Sequence, residues 1–196
     1  MPLPSEDRDL KPLIDKLSSA NPAVRSNAAG EIFRHGSELA HAVAAPWLGD
    51  PQFASCLCQT EASEPKITVG IAVKRQTFSE IRAANGSPRL ASVPDDQDVE
   101  EFELDFPGAI RLDVLTTKRG LASGAIEKFL QKYGEGIQQI ELETRDVNKA
   151  TKILRSRFGV TPVYAQSRAG ADGTRVNFFL VPSRHRNVLI ELVESP

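Results

Sequence analysis

Polar side chains alternate with aliphatic ones in several short runs of this chain, and that spacing places isolated polar groups on one face of a strand. Gln139 and Glu141 flank Ile140, while Glu191 lies between Ile190 and Leu192. Carboxylates held on such a face can act as general bases. Carboxylate and amide oxygens are also the ligands that hard cations such as Mg²⁺ and Ca²⁺ prefer. Each of these strands is therefore predicted to have one aliphatic face and one face with isolated polar groups, whose residue types are ones that proton transfer and hard-metal binding use.

The C-terminal part of the chain has the elements needed to position these groups. Apolar residues alternate as in a strand over 137–143, and they recur at helical spacing over 147–158. Three further strands are predicted near 160–166, 174–181 and 187–193. This part of the sequence therefore predicts the order βαβββ.

Residues 66–117 predict the same order. They read as the strand ITVGIAV, the short helix TFSEIRAANG, and the strands RLASV, EEFELDF and AIRLDVLTT. Pro107-Gly108 marks a hairpin between the last two strands. A connector at 118–134 contains a short helical pattern. The chain therefore contains an internal repeat of element order, with module one at 66–117 and module two at 135–194.

Residues 1–63 predict an extension of about three helices, followed by a domain at 64–196. Leucine and isoleucine recur at helical spacing over 10–17. Asn21 is an N-cap candidate with Pro22 at the first helical position, and Gly36 is a C-cap candidate. A third helix is expected from Ser37 to just before Gly49. The segment NPAVRSNAAGEIFRHG resembles one HEAT-type unit, so this extension is a candidate surface for a protein partner.

Composition excludes several classes of function. The chain carries 24 basic and 26 acidic residues in mixed order, with no basic stripe for a nucleic-acid partner. No apolar run approaches the roughly 18–20 residues that span a bilayer. The opening MPLPSEDRDLK is too polar for a secretory signal, and Cys56 and Cys58 do not make a disulfide framework. A cytoplasmic protein without a membrane partner is expected.

The βαβββ order, opened by GIQQIELET and closed by NVLIELVES, resembles a module of the vicinal-oxygen-chelate superfamily. That superfamily includes glyoxalases, methylmalonyl-CoA epimerases, extradiol dioxygenases and bleomycin-resistance proteins. The resemblance covers about 66–194 and is strongest to the epimerases, through the opening of module two, its Arg-hydrophobic-Asn-Phe strand and its Leu-Ile-Glu-Leu ending. It implies an α+β fold in which two βαβββ modules form a cupped mixed sheet around a small-molecule site.

The resemblance also implies a ligand set. Metal-using members take one ligand from the first and last strand of each module, typically two His, a Gln or Glu, and a Glu. By position these fall on Thr68, Asp113, Gln139 and Glu191, and Glu191 alone matches the family residue type. Thr68 is a poor ligand. Asp113, Gln139 and Glu191 would make an oxygen-only site for Mg²⁺, Mn²⁺ or Ca²⁺, and a metal-free protein remains the other expectation.

The same resemblance implies a catalytic role for Glu191, and the strand positions of other glutamates add further candidates. Glu191 is favoured as metal ligand or general base, and Glu141 on the Gln139 face is a second base candidate. Glu103, or its neighbour Glu101, would be the opposing acid that epimerisation needs. The expected chemistry is abstraction of a proton next to a carbonyl, with a metal stabilising the enolate.

Three further residues are candidates for substrate binding. Arg111 and Arg175 could hold a carboxylate or phosphate through paired hydrogen bonds, and Asn177 could bind a carbonyl. The resulting hypothesis is a lyase or isomerase acting on a small oxo-acid or acyl thioester. The alternatives are a metal-free binding protein of the bleomycin-resistance type and an interaction module that uses the helical extension. A homodimer is also left open, because many members of the superfamily form dimers.

Overall fold

The computed structural model describes residues 10–60, 64–118, 124–183 and 186–196. The helices are α1 (Lys11–Lys16), α2 (Pro22–Leu48), α3 (Pro51–Ala54), α4 (Arg75–Ala84), α5 (Ala125–Tyr133) and α6 (Val147–Phe158). The strands are β1 (Ile67–Ala72), β2 (Glu100–Phe106), β3 (Ile110–Thr116), β4 (Gly136–Thr144), β5 (Arg168–Ala169), β6 (Arg175–Pro182) and β7 (Asn187–Glu194). The α+β class is confirmed. Within the described ranges, no helix has both the length and the hydrophobicity needed to cross a membrane.

The chain forms two compact units that repeat one strand arrangement. Unit one comprises the described residues of 37–67 and 139–196, and unit two those of 7–36 and 68–138. In unit two, β1 pairs in parallel with β3, and β3 pairs antiparallel with β2. In unit one, β4 pairs in parallel with β7, β7 antiparallel with β6, and β6 antiparallel with β5. The division predicted at residue 63 stays a prediction, and 1–9, 61–63 and 119–123 lie outside the described residues.

Helices cover the aliphatic face of the unit-one strands. The Trp47 ring of α2 lies edge-on to Phe179 of β6, with ring centroids 6.1 Å apart, and makes a similar contact with Phe53 of α3. An ion pair between Asp50 at the start of α3 and Arg157 of α6 joins these two helices, with an N–O distance of 2.6 Å. The end of α2, α3 and α6 therefore form one helical layer on this face.

Local capping fixes the two ends of α6. Asp146 Oδ1 accepts a hydrogen bond from Lys149 N at 2.8 Å, and Glu194 Oε2 accepts one from Val147 N at the same distance. Both carboxylates lie where the helix dipole favours negative charge. Gly159, at φ 65°, ends the helix in the left-handed conformation that glycine adopts without a Cβ penalty.

The aliphatic face of unit two is covered in the same way. Gly36 of α2 lies so close to Val69 of β1 that a Cβ built on the glycine would come within 2.4 Å of a valine methyl group. Phe78 of α4 packs on Phe102 of β2, with ring centroids 4.7 Å apart. The absence of a side chain at Gly36 therefore allows helix α2 to lie directly on the strand.

That contact corrects the prediction that a helix ends at Gly36. The N-terminal prediction is confirmed, since α2 begins at Pro22 and Asn21 Oδ1 accepts from Ala23 N at 2.9 Å. The helix then continues through Gly36 and the predicted start at Ser37, for 27 residues in all. NPAVRSNAAGEIFRHG contains no turn between helices, so the structure gives the HEAT-type prediction no support.

Two predicted strands are also wrong. RLASV at 89–93 forms no strand, because Pro88 and Pro94 at its ends lack the N–H groups that a ladder requires. Its hydrogen bond to β2 runs from Ala91 N to Glu101 O, at 3.0 Å. The run near 160–166 makes an isolated bridge to β6 at Pro162, and regular pairing begins only at the two-residue strand β5.

The two glycines inside α2 should respond oppositely to alanine. Gly36→Ala would force a Cβ against the fully buried Val69, and such overpacking costs about 1–3 kcal/mol. At Gly30 a Cβ would meet Ile110 at an ordinary 3.6 Å, so Gly30→Ala should gain the roughly 0.5–1 kcal/mol that alanine contributes inside a helix. In denaturant unfolding, the free energy of unfolding should be highest for Gly30→Ala, intermediate for wild type and lowest for Gly36→Ala. A Gly36→Ala protein as stable as Gly30→Ala would contradict the close contact.

Asp50 should make the stability of the protein depend on pH in the acidic range. The pKa of its carboxyl lies below the ordinary 3.8, first because Phe53 N–H donates to it and then because Arg157 lies beside it. Its contribution is therefore present above the unfolded pKa and is lost as pH falls through the lower folded pKa. Asp50→Asn keeps a good N-cap and removes the charge. Its melting temperature should lie below wild type at pH 7, and the gap should narrow as pH falls below the ordinary pKa of 3.8. A gap that is independent of pH would contradict this assignment.

Candidate active site

The pairing of β4 with β7 brings three of the predicted site residues together in unit one. The two strands run in parallel, with Glu141 opposite Glu191 and Gln139 opposite Leu189. Residues opposite each other in a ladder share a face. The side chains of Gln139, Glu141 and Glu191 therefore project from one face, as their alternation with aliphatic residues predicts.

The Gln139 amide bridges the two carboxylates. Its Nε2 donates to Glu191 Oε2 at 2.6 Å and to Glu141 Oε1 at 3.2 Å. Gln139 and Glu191 are each only 7% exposed, and Glu141 is half-buried. Hydrogen bonds to a charged acceptor are stronger than neutral ones, and burial strengthens them further. The amide therefore holds the buried Glu191 carboxylate in a defined position.

An apolar strip lies beside this polar group on the same face. Phe178 of β6 is the ladder partner of Glu191, and Leu180 is the partner of Leu189. The Tyr164 ring packs edge-on against Phe178, with centroids 6.0 Å apart. Leu180 is 52% exposed and Tyr164 39%. A ligand with an apolar part could contact this strip while its polar part reaches Glu191.

Unit two holds the other predicted residues on one face of its own strands. Asp113 of β3 is paired with Gly70 of β1 and with Glu103 of β2. Arg111 lies 3.9 Å from Glu103, an exposed ion pair that contributes little to stability. Thr68 is buried on β1. The predicted ligand set is thus divided, with Thr68 and Asp113 in unit two and Gln139 and Glu191 in unit one.

The predicted substrate-binding residues of β6 lie on the opposite face from Glu191. Asn177 is the ladder partner of Leu192, and Arg175 is the partner of Glu194. The Asn177 side chain is fully buried; its Nδ2 donates to Tyr164 O at 3.3 Å and its Oδ1 accepts from Phe178 N at 2.9 Å. Asn177 therefore anchors the 160–167 segment to β6, and neither side chain projects from the Glu191 face.

A metal requires more donors than unit one provides. Among the described residues, no group of three or more His, Cys, Asp or Glu side chains is placed to hold a metal ion. Gln139 turns its amide nitrogen towards the two carboxylates beside it, Glu141 and Glu191, whereas an amide binds cations through its oxygen. This arrangement does not fit a metal site, and binding by Asp113, Gln139 and Glu191 stays a prediction.

Several solved structures are similar to this chain. The methylmalonyl-CoA epimerase of Mycobacterium tuberculosis is 34% identical, and the similarity covers 66% of this chain and 87% of that one, with a TM-score of 0.53. The chain belongs to the vicinal-oxygen-chelate superfamily. A variant of the Streptomyces coelicolor epimerase bound to 2-nitronate-propionyl-CoA is 30% identical over 65% and 94% of the two chains, with a TM-score of 0.53. An epimerase bound to methylmalonyl-CoA and NH4+ is 30% identical over 65% and 92%, with a TM-score of 0.52.

No protein-family model and no curated protein matches the chain. Membership of the superfamily therefore rests on solved structures and on the strand arrangement repeated in the two units. It agrees with the predicted α+β fold and with the polar strand faces. It does not assign a reaction, because one fold carries many different sites.

Sequence reasoning did not identify the apolar strip. Phe178 and Leu180 alternate with Asn177 and Phe179, so alternation alone shows two faces on β6 without showing which one adjoins Glu191. The pairing register of β6 with β7 decides this. The strip would have been found by looking, on the strand that pairs with β7, for a bulky apolar residue opposite the predicted catalytic Glu191.

The structure gives no reason to treat Cys58 as a nucleophile. Cys58 N donates to Glu143 O at 2.8 Å in the segment beside β4, and Cys56 is only 2% exposed. The pKa of the Cys58 thiol lies above the ordinary 9.0, first because burial disfavours the thiolate and then because the Glu143 carboxylate repels it. A thiol that resists ionisation is a poor nucleophile.

Cys58 should therefore be alkylated slowly. In a Cys56→Ser background at pH 8, iodoacetamide should modify Cys58 several-fold more slowly than it modifies free cysteine, as followed by mass spectrometry. Adding Glu143→Gln should raise the rate, because it removes the repelling charge. Adding Glu64→Gln instead is the control and should leave the rate unchanged. A Cys58 that reacts faster than free cysteine would contradict the raised pKa.

Proposed function

We propose that the chain is an epimerase-like enzyme that removes the α-proton of an acyl thioester, with Glu191 as general base. The observation that carries the proposal is the 2.6 Å hydrogen bond from Gln139 to the buried Glu191 carboxylate. Similar solved structures include methylmalonyl-CoA epimerases, one of them in complex with methylmalonyl-CoA. A carboxylate in a fixed position is what proton abstraction requires.

The step moves one proton and one electron pair. A Glu191 oxygen takes the α-proton, and the C–H electron pair passes into the enolate, whose negative charge lies largely on the thioester oxygen. Epimerisation is completed when an acid returns a proton to the opposite face of the same carbon. The sequence assigns that role to Glu103, which stays a prediction, and Glu141 is a second base candidate beside Glu191. The free energy that such a positioned group contributes corresponds to about 10²–10⁴ in rate.

Gln139 acts as a positioning residue in this proposal. Its Nε2 is engaged by Glu191 and Glu141, so it orients the base and does not bind the substrate. The strip of Phe178, Leu180 and Tyr164 would contact the acyl chain and exclude water beside the base. A drier site strengthens every electrostatic interaction within it.

The proposal is tested by α-proton exchange. Wild-type protein is incubated with methylmalonyl-CoA and propionyl-CoA in D₂O, and deuterium incorporation is followed by mass spectrometry. Glu191→Gln, which keeps the shape and removes the base, should lower the exchange rate of the stereoisomer that Glu191 deprotonates by ~100-fold or more. Glu143→Gln is the matched control, since it lies on the same face of β4 and is not bonded to Gln139. It should retain the wild-type rate.

The remaining variants separate the roles. Glu103→Gln should retain exchange from one stereoisomer and lose epimerisation, because only the opposing acid is missing. Equal exchange in Glu191→Gln and Glu143→Gln would refute Glu191 as the base. Each reaction is run with chelator and then with Mg²⁺, Mn²⁺ or Ca²⁺. Exchange that appears only with metal and is lost in Asp113→Ala would favour the metal-assisted route predicted from the sequence.

A ligand-binding protein is the second candidate function. The exposed apolar strip favours this function, because it can bind a ligand while the Gln139 amide keeps both carboxylates engaged and no reaction takes place. It predicts a ligand-dependent rise in melting temperature in the presence of chelator and no α-proton exchange. Partner binding through residues 1–63 stays a prediction, and deleting 1–60 would test it.

A further inference from the structure

A groove of about 410 Å³ lies between helix α6 and the segment 165–167 of unit one. Its lining includes Asn148, Thr151, Lys152 and Arg155 from the helix, and Gln166 and Ser167 from the segment. The helical layer that contains α6 covers the aliphatic face of the strands, whereas Glu191 projects from the opposite face. The groove is therefore separate from the candidate active site.

The walls of the groove are held in place. Ser167 Oγ donates to Asn148 Oδ1 at 2.8 Å across it. On either side of the segment, Val163 N donates to Phe178 O at 2.7 Å, and β5 pairs with β6. The groove is thus formed before any ligand binds, which lowers the entropic cost of binding.

The electrostatic character of the groove favours an anion. Residues 147–169 contain five basic residues (Lys149, Lys152, Arg155, Arg157 and Arg168) and no Asp or Glu. Arg157 is paired with Asp50, and Arg168 lies over the Tyr164 ring. Lys152 and Arg155 both line the groove, three positions apart on one helix face, where like charges repel. An anion between them would relieve that repulsion.

A buried hydroxyl points to the same conclusion. Thr151 lines the groove and is 7% exposed, yet its Oγ1 has no hydrogen-bond partner among the described residues. Buried hydroxyls are ordinarily paired, so this one is an unpaired donor in the wall of the groove. Asn148 has its oxygen occupied by Ser167 and therefore has its amide N–H groups left to donate. The groove presents two cations and several donors without a carboxylate.

We propose that this groove binds the phosphate group of a small molecule, with Lys152 and Arg155 neutralising its charge and with Thr151 and Asn148 donating to its oxygens. Arg155 suits phosphate because guanidinium N–H groups match two oxygens at once. The ligand is either free phosphate or a phosphate monoester such as a nucleotide carries. The site is independent of the function proposed for Glu191.

The test is titration calorimetry of the full chain with inorganic phosphate, and separately with adenosine 3′-phosphate, at constant ionic strength set by chloride. Saturable binding is expected for wild type. Lys152→Gln and Arg155→Gln should each weaken it at least tenfold, and Thr151→Val several-fold. Lys149→Gln removes the same charge from the same helix outside the groove and should change the affinity by less than twofold. Glu191→Gln should bind phosphate as wild type does.

Tighter binding of the nucleotide than of phosphate would identify a monoester, and equal binding would identify the free anion. Absence of saturable binding to both probes would overturn the proposal. Equal weakening in Lys149→Gln and Arg155→Gln would also overturn it, because the effect would then be one of net charge. Thermal unfolding of each variant without ligand establishes that it is folded, so lost binding reports on the groove itself.

Discussion

The in-register parallel pairing of β4 with β7 is the constraint on which the rest of unit one depends. It sets Glu141 opposite Glu191, and two carboxylates in such positions repel each other unless a donor lies between them. The Gln139 amide supplies that donor from the neighbouring position on the same face. The pairing also turns Ile140 and Ile190 to the other face, where a helical layer covers them. One register thus determines both the polar site and the apolar core that supports it.

Much of this could be predicted from the sequence, because alternation along a strand is a local property. The faces of β3, β4 and β7 follow from the positions of their aliphatic residues alone. Pairing between strands is not local, and that is where the predictions were wrong or incomplete. Asn177 was expected to bind substrate, but the β6–β7 register turns its side chain to the face opposite Glu191. Gly36 lies inside a helix, and a glycine is needed there because Val69 leaves no room for a side chain. The sequence does not show that contact, because the two residues are far apart along the chain.

The two units show how one arrangement can carry different chemistry. Each pairs its first strand in parallel with its last and covers the aliphatic face with helices. On the polar face of unit two, Asp113 lies between Gly70 and Glu103, so its neighbour on one side has no side chain. In unit one the equivalent last strand carries Glu191, held by an amide and flanked by an aromatic ring. The strand order is repeated, while the groups that could react are specific to each unit.

The amide bridge also bears on how this surface could change over evolutionary time. Glutamine and glutamate have the same size and shape, and one nucleotide substitution converts the codon of the first into that of the second. A glutamate at position 139 would put another carboxylate directly beside Glu141 and Glu191, on a face that also carries Glu143. Its oxygens would repel its neighbours until a proton or a cation lay among them. On this scaffold, one mutational step therefore separates an amide-bridged pair of carboxylates from a cluster of carboxylates that a cation could stabilise.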